Sequence, residues 1–258
     1  MPQYRMGQRE LLTLMSAIMA LMALGIDTML PAFDEIREAF DLGDSSPRAG
    51  QVITVFFMGL AIAQLVWGPI ADRFGRKPVL YAGSIIYVIG AAGSALAPTF
   101  ELLLLSRFVW GLGAAGARVV ATAIIRDRFE GSQMAKAMSQ VMAVFMLVPI
   151  LAPSIGAGLI AIFPWRSIFW FCAIFALAIG LWSLRMRESL DPGNRRPLEL
   201  RATADGYVEV ARTPVTSGYT NATIFLQGVF TTYLASSELI ISEVFDREDQ
   251  FPLIFGLV

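Results

Sequence analysis

From Gly68 to Leu80 the chain reads GPIADRFGRKPVL, and this stretch decides the fold. Four charged residues, Asp72, Arg73, Arg76 and Lys77, surround Gly75 and lie between two long apolar runs, Ala49 to Ala71 and Val79 to Ala97. Runs of about twenty apolar residues have the length a helix needs to cross about 30 Å of hydrocarbon at about 1.5 Å per residue. The charged turn therefore reads as a water-facing connector between two membrane helices. Gly75, with no Cβ, lets the chain reverse tightly there.

Working outward, the pattern repeats. Further apolar runs span Leu11 to Phe33, Phe100 to Ile125, Ala137 to Phe163, Ser167 to Leu184 and Val215 to Ser237, and an eighth begins at Phe251. The chain's 258 residues are 56% hydrophobic and 16% charged, against about 45–50% and about 25% in a soluble domain. The fold class is all-α, a polytopic transmembrane helix bundle. The first run is too long for a signal peptide, contains Asp27 and is followed by more spans, so it is expected to stay uncleaved. The chain stops at Val258, a few residues into the eighth span, so the sequence is expected to be part of a longer protein.

Charge sets the expected orientation. With the N-terminus inside, fourteen of the twenty Lys and Arg residues fall in inner segments, four (Arg37, Arg48, Arg166, Arg247) in outer ones, and Arg107 and Arg118 inside the fourth span. Positive residues are retained on the cytoplasmic side, which puts the N-terminus in the cytoplasm. The one substantial polar stretch, 185–214, reads as a cytoplasmic linker between an N-terminal six-helix half (1–184) and the start of a second half (215–258). Within it DPGNRRP breaks helix, and LELRATADGYVEVART has the pattern of a short surface helix.

Several functions are excluded or disfavoured. A net charge of −1 lacks the concentrated basic face that nucleic acid demands. With no His and one Cys, Cys172, the chain can form no internal disulfide framework and no Cys/His metal site. No GxxxxGK[ST] loop supports ATP hydrolysis, and no cofactor is called for. Gly111 to Gly116 spells GxGxxG, but no strand precedes it and it sits in a membrane-length apolar run. Its small residues read instead as a surface for close helix approach.

Charges inside the spans carry the chemistry. An ionisable side chain in the bilayer core costs about 2.5–3.5 kcal/mol and persists only where it faces water, a partner or the bundle interior. Asp27 lies about 24 Å from the inner surface and Arg107 about 10 Å from the outer one, so the two share a depth at which they can relieve each other's desolvation. Such a pair either handles a proton or is a fixed salt bridge that orients two helices. Arg118, eleven residues after Arg107, returns to nearly the same helix face; it either lines a central cavity or snorkels toward the inner interface. Gln140 and Gln227 are further candidates for the cavity lining, although such groups often only bond neighbouring helices.

The quoted stretch resembles motif A of the major facilitator superfamily, G-x-L-a-D-r-x-G-r-k-x-x-l, through Gly68, Ala71, Asp72, Arg73, Gly75, Arg76, Lys77 and Leu80, with Ile70 where Leu is usual. RFVWGLGAAGARVVATAIIRDRF resembles motif B at Arg107, Gly111 and Gly113, with Trp110 in place of the common Gln; Arg126 and Asp127 close this helix. VPILAPSIGAG resembles motif C at Pro153 and Gly156, with Ala152 and Ala157 replacing glycines. GIDTMLPAF, with Asp27 ahead of Leu30, Pro31 and Ala32, is similar to the first helix of drug:proton antiporters of the Bcr/CflA branch.

That resemblance implies a twelve-helix transporter in the bacterial inner membrane, expected to be monomeric when complete. Its partners would be a small-molecule substrate, protons and the lipid bilayer. It implies proton-coupled export by alternating access, with Asp27 binding and releasing the proton and Arg107 setting its affinity. It also implies a motif A latch in which Asp72, Arg76 and Lys77 engage Arg126 and Asp127. An exporter of an endogenous metabolite, or a truncated remnant that transports nothing, stays open at this stage.

Overall fold

The structure is a computed structural model and describes residues 6–43 and 47–240. The helices are α1 (Gln8–Asp27), α2 (Phe33–Ala39), α3 (Gln51–Phe74), α4 (Arg76–Leu96), α5 (Phe100–Arg128), α6 (Gly131–Ile160), α7 (Ser167–Ser183), α8 (Leu200–Arg212) and α9 (Pro214–Leu239). The expected span from Phe251, and Arg5 and Arg247 of the charge count, lie outside the described residues.

Among the described residues five segments are long and apolar enough to cross a membrane: Gln8–Ala39, Arg48–Phe74, Arg76–Leu96, Phe100–Arg128 and Gly131–Ile160. Helix α7 is apolar but has 17 residues, at the short end of what spans a bilayer. Helix α9 has 26 residues but carries Thr216, Ser217, Asn221, Thr223 and Gln227, and falls outside the five. Within residues 185–214 a short 3-10 turn (Pro192–Asn194) precedes α8.

The first span differs from expectation. A bent but continuous helix through Phe33 is anticipated; instead α1 ends at Asp27, a 3-10 turn follows at Leu30–Ala32, and α2 resumes at Phe33. Pro31 opens that turn and cannot supply the N–H that would have bonded the carbonyl of Asp27 one turn back. Thr28 instead closes the end of α1, its backbone N–H and its hydroxyl both donating to the Leu24 carbonyl (3.3 and 2.5 Å).

Packing centres on α5, which runs against α3 on one side and α4 on the other, while α1 lies against α6, α5 and α7. Small residues set these distances, as the sequence suggests. A Cβ on Gly111 would collide with the Phe56 carbonyl of α3, and one on Gly113 with the Tyr87 backbone of α4. Trp110 fills the space between, edge-on to Phe56, Tyr87 and Phe169 with ring centroids 5.3–6.1 Å away. At the end away from the charged turn, Phe40, Phe100, Trp165 and Phe169 form an aromatic chain. Arg166 ties that end together by donating to the Ala97 carbonyl (3.1 Å). Two open clefts lie at the opposite, charged-turn end.

Candidate functional site

At the charged-turn end, helix α3 runs out at Phe74 and Gly75 turns with φ of 106°, the left-handed region that disfavours side chains. The reversal brings Arg76, the first residue of α4, between two acids. Its Nη1 donates to Asp72 (2.6 Å), and its Nε and Nη2 donate to Asp127 at the end of α5 (2.9 and 3.4 Å). One guanidinium thus clamps three helix ends, the fork geometry that suits Arg and not Lys. Arg73 and Arg126 are exposed. Arg126 and Gly68 line, with Gln64, Asp72, Arg76 and Arg118, a cleft of about 380 Å³.

A residue that sequence reasoning missed completes this corner. Glu188, just beyond α7, accepts from the backbone N–H groups of Arg76 and Lys77 (2.9 and 3.0 Å) and of Ser189 and Leu190 (both 3.0 Å). It caps the orphan donors of α4 across more than a hundred residues of chain, and its charge suits the positive end of that helix. A Cβ on Gly75 would strike its carboxylate. Ser189 donates to Asp127 (2.9 Å), Lys77 donates to the Leu184 carbonyl (3.2 Å) and the backbone of Arg196 to the Asp72 carbonyl (3.1 Å). The one signal in the sequence was an acid set among Arg185, Arg187, Arg195 and Arg196.

Deeper in the bundle the geometry corrects an expectation. Arg107 is fully buried and Asp27 is 2% exposed, yet they form no ion pair, and among the described residues no hydrogen bond engages the Asp27 carboxylate. Arg107 donates instead to the carbonyls of Gly25 (2.8 Å) and Val52 (3.3 Å) and lies over the rings of Phe56 and Trp110, 4.7 and 4.5 Å from their centroids. Its Nη2 has no partner among the described residues. Gly25 lies in the last turn of α1, where carbonyls run out of helical partners. Side chains from other helices serve this stretch: Arg107 bonds Gly25, the Cys172 thiol approaches Leu24 (3.9 Å) and the Tyr87 hydroxyl donates to Leu21 (2.7 Å). The guanidinium takes backbone oxygen where an ion pair with Asp27 is expected.

The remaining candidates separate. Gly156 packs so closely on the Thr28 carbonyl that a Cβ there would overlap it, and Pro153 is buried beside it, so motif C of α6 meets α1 directly after Asp27. Arg118 is half-buried against Met22 (Nη1 to Sδ 3.5 Å) and faces the cleft at Asp72 and Arg76, apart from Arg107. Gln140 lines a second cleft of about 420 Å³ with Gln8, Arg9, Gln133 and Lys136. Gln227 is exposed on α9. Trp110, where motif B commonly has Gln, contributes aromatic core and no polar lining. Among the described residues no cluster of His, Cys, Asp or Glu could hold a metal.

Membrane-length helices joined by a clamped charged turn define a multi-pass membrane helix bundle. The family model for the Major Facilitator Superfamily matches residues 13–258, and the chain belongs to that family. It is 32% identical over 233 residues to the bicyclomycin resistance protein homolog of Haemophilus influenzae, covering 90% of this chain and 58% of that protein. It is 37% identical over 176 residues to the multidrug resistance protein MdtL of Escherichia coli, covering 68% of this chain and 44% of that protein. The chain thus spans about half the length of these relatives. In fold it matches the human organic anion transporter MFSD10 with a TM-score of 0.74 at 21% identity, over 96% of this chain and 70% of that one. A bacterial homologue of the human lysosomal transporter Spinster also matches with a TM-score of 0.74, at 19% identity, over 100% of this chain and 60% of that one.

Proposed function

We propose that the complete protein is a proton-coupled antiporter that exports drugs or other lipophilic small molecules across the bacterial inner membrane by alternating access. The observation that carries this reading is the Asp27 carboxyl group, buried at a helix break with no counter-ion within ion-pair distance among the described residues. An uncompensated buried charge is costly. Two species can compensate it in turn, a proton or a cationic group on a substrate, and their competition for one carboxylate is the coupling an antiporter requires. Arg107, held on the Gly25 carbonyl two residues before Asp27 and on the Val52 carbonyl, with one nitrogen unpartnered among the described residues, sets the affinity of that acid as the helices rearrange.

In this reading Asp72, Arg76, Asp127 and Glu188 form the latch that holds the charged-turn end of the first half, and residues 1–184 act as one rocking unit joined through 185–214 to the second half. The N-terminus and the clefts at Arg118 and Gln140 face the cytoplasm, as the loop charges require. The names of the relatives, bicyclomycin resistance and multidrug resistance, support the substrate class. The test is uptake of lipophilic drugs into everted membrane vesicles containing the complete protein. Drug accumulation is expected with a proton gradient and collapses when the gradient is dissipated; accumulation that ignores the gradient contradicts the reading.

A further inference from the structure

A groove runs along the exposed face shared by α4 and α7. Its floor is Ser84, Ala176 and Gly180, whose small side chains leave a depression of about 390 Å³. That lies in the size range of small-molecule sites, roughly 300–1,000 Å³. Its walls are Ile85, Ile89, Leu177 and Leu181, all more than half exposed. Tyr81 also lines it. The hydroxyls of Tyr81 and Ser84 have no hydrogen-bond partner among the described residues, although Ser84 is 6% exposed. Unpartnered buried hydroxyls ordinarily find a partner. The groove runs from Tyr81 to Ile89, one to three turns beyond Lys77, which at about 1.5 Å per residue reaches roughly 18 Å from the turn and matches one leaflet of a bilayer about 30 Å thick.

Lys77 stands at the mouth. Its Nζ donates to the carbonyl of Leu184 and sits 5.6 Å from the centre of the Tyr81 ring, and both of those residues line the groove. A lysine has three donors, so two N–H groups remain to be directed at a ligand. Glu188 accepts from four backbone N–H groups, and the Lys77 Nζ donates to the Leu184 carbonyl and not to that carboxylate.

We propose that this groove binds one anionic phospholipid of the leaflet that meets the charged turn, with an acyl chain along Ser84 and Gly180 and its phosphate on Lys77. The occupant is a lipid and not a second helix, because an apolar trough that ends on an ammonium fits a chain with an anionic head.

Native mass spectrometry of the purified chain in detergent, titrated separately with phosphatidylglycerol and phosphatidylcholine, tests this without any transport assay. One phosphatidylglycerol is expected to be retained in preference to phosphatidylcholine. Lys77→Gln should weaken phosphatidylglycerol roughly fivefold, the worth of one basic residue at an anionic surface, and leave phosphatidylcholine unchanged. Leu177→Trp, which fills the groove from its lipid face, should reduce retention of both. Arg73→Gln, which removes an exposed charge on the same turn, should change neither. Thermal unfolding of each variant confirms that it is folded. Equal retention of the two lipids overturns the proposal, as does a Lys77→Gln protein that binds like the parent, an Arg73→Gln protein that weakens as much as Lys77→Gln, or a dimer that Leu177→Trp abolishes.

Discussion

The carbonyl oxygen of Thr28 rests against the α-carbon of Gly156, with no room for a side chain between them. Motif C and the break that follows Asp27 are therefore one packed unit. Replacing Gly156 with Ala forces α6 away from α1 and is expected to cost about 1–3 kcal/mol, the range for overpacking. Gly158, two residues on, has open space around it. Gly158→Ala is expected to be neutral or stabilising by up to about 1 kcal/mol through helix propensity. Thermal unfolding in detergent distinguishes them, and equal effects would show that the contact is unimportant.

Arg107 acts first as a tie between backbones. Arg107→Ala leaves the Gly25 carbonyl at the end of α1 without its donor and empties the space between Phe56 and Trp110, so a loss of at least about 1.5–3 kcal/mol is expected. Arg107→Lys keeps the charge, but a single ammonium cannot reproduce the planar fork, and its melting temperature should fall between those of the parent and the Ala variant. A Lys variant less stable than the Ala variant would contradict this account.

At the charged turn the two acids differ in what they hold. Asp127 accepts from Nε and Nη2 of Arg76 and from Ser189, whereas Asp72 accepts one bond from the same guanidinium. Asp127→Asn is expected to destabilise by about 1.5–3 kcal/mol, as for charged hydrogen bonds. Asp72→Asn should cost about 0.2–1 kcal/mol, as for an exposed ion pair. Raising salt should shrink the Asp72 effect more than the Asp127 effect. The reverse order of stabilities would sink this division of labour.

Glu188 supplies a cap that α4 cannot supply for itself. Glu188→Ala should cost about 0.5–2 kcal/mol, as for a lost N-cap, and Glu188→Gln less, because the amide keeps one acceptor. Hydrogen exchange at the amides of Arg76 and Lys77 checks the mechanism directly: both are expected to exchange faster in Glu188→Ala, and unchanged rates would remove Glu188 from the corner.

Much of this fold was legible in the sequence because membrane spans are written in runs of apolar residues, and the close approach of α5 to its neighbours in glycines such as Gly111 and Gly113. The Arg76 to Asp127 contact was also within reach, since a charged turn and a charged helix end at the same surface must find each other. Three things were hidden. A proline such as Pro31 is compatible with a bent helix or a broken one, and the contact of Gly156 with Thr28 that accompanies the break lies far away in sequence. The partner of Arg107 is backbone oxygen, which every residue carries and no sequence pattern marks, so equal depth suggested an ion pair with Asp27 that the structure does not make. Glu188 was missed for a similar reason, because it binds main-chain N–H groups and not a complementary side chain.

The central claim is that Asp27 carries the exchanged proton, and the most direct measurement is proton release on substrate binding by the complete protein in weakly buffered detergent solution. The parent is expected to release protons when a cationic drug binds, and Asp27→Asn to release none while remaining folded. Proton release from Asp27→Asn equal to that of the parent would contradict the account.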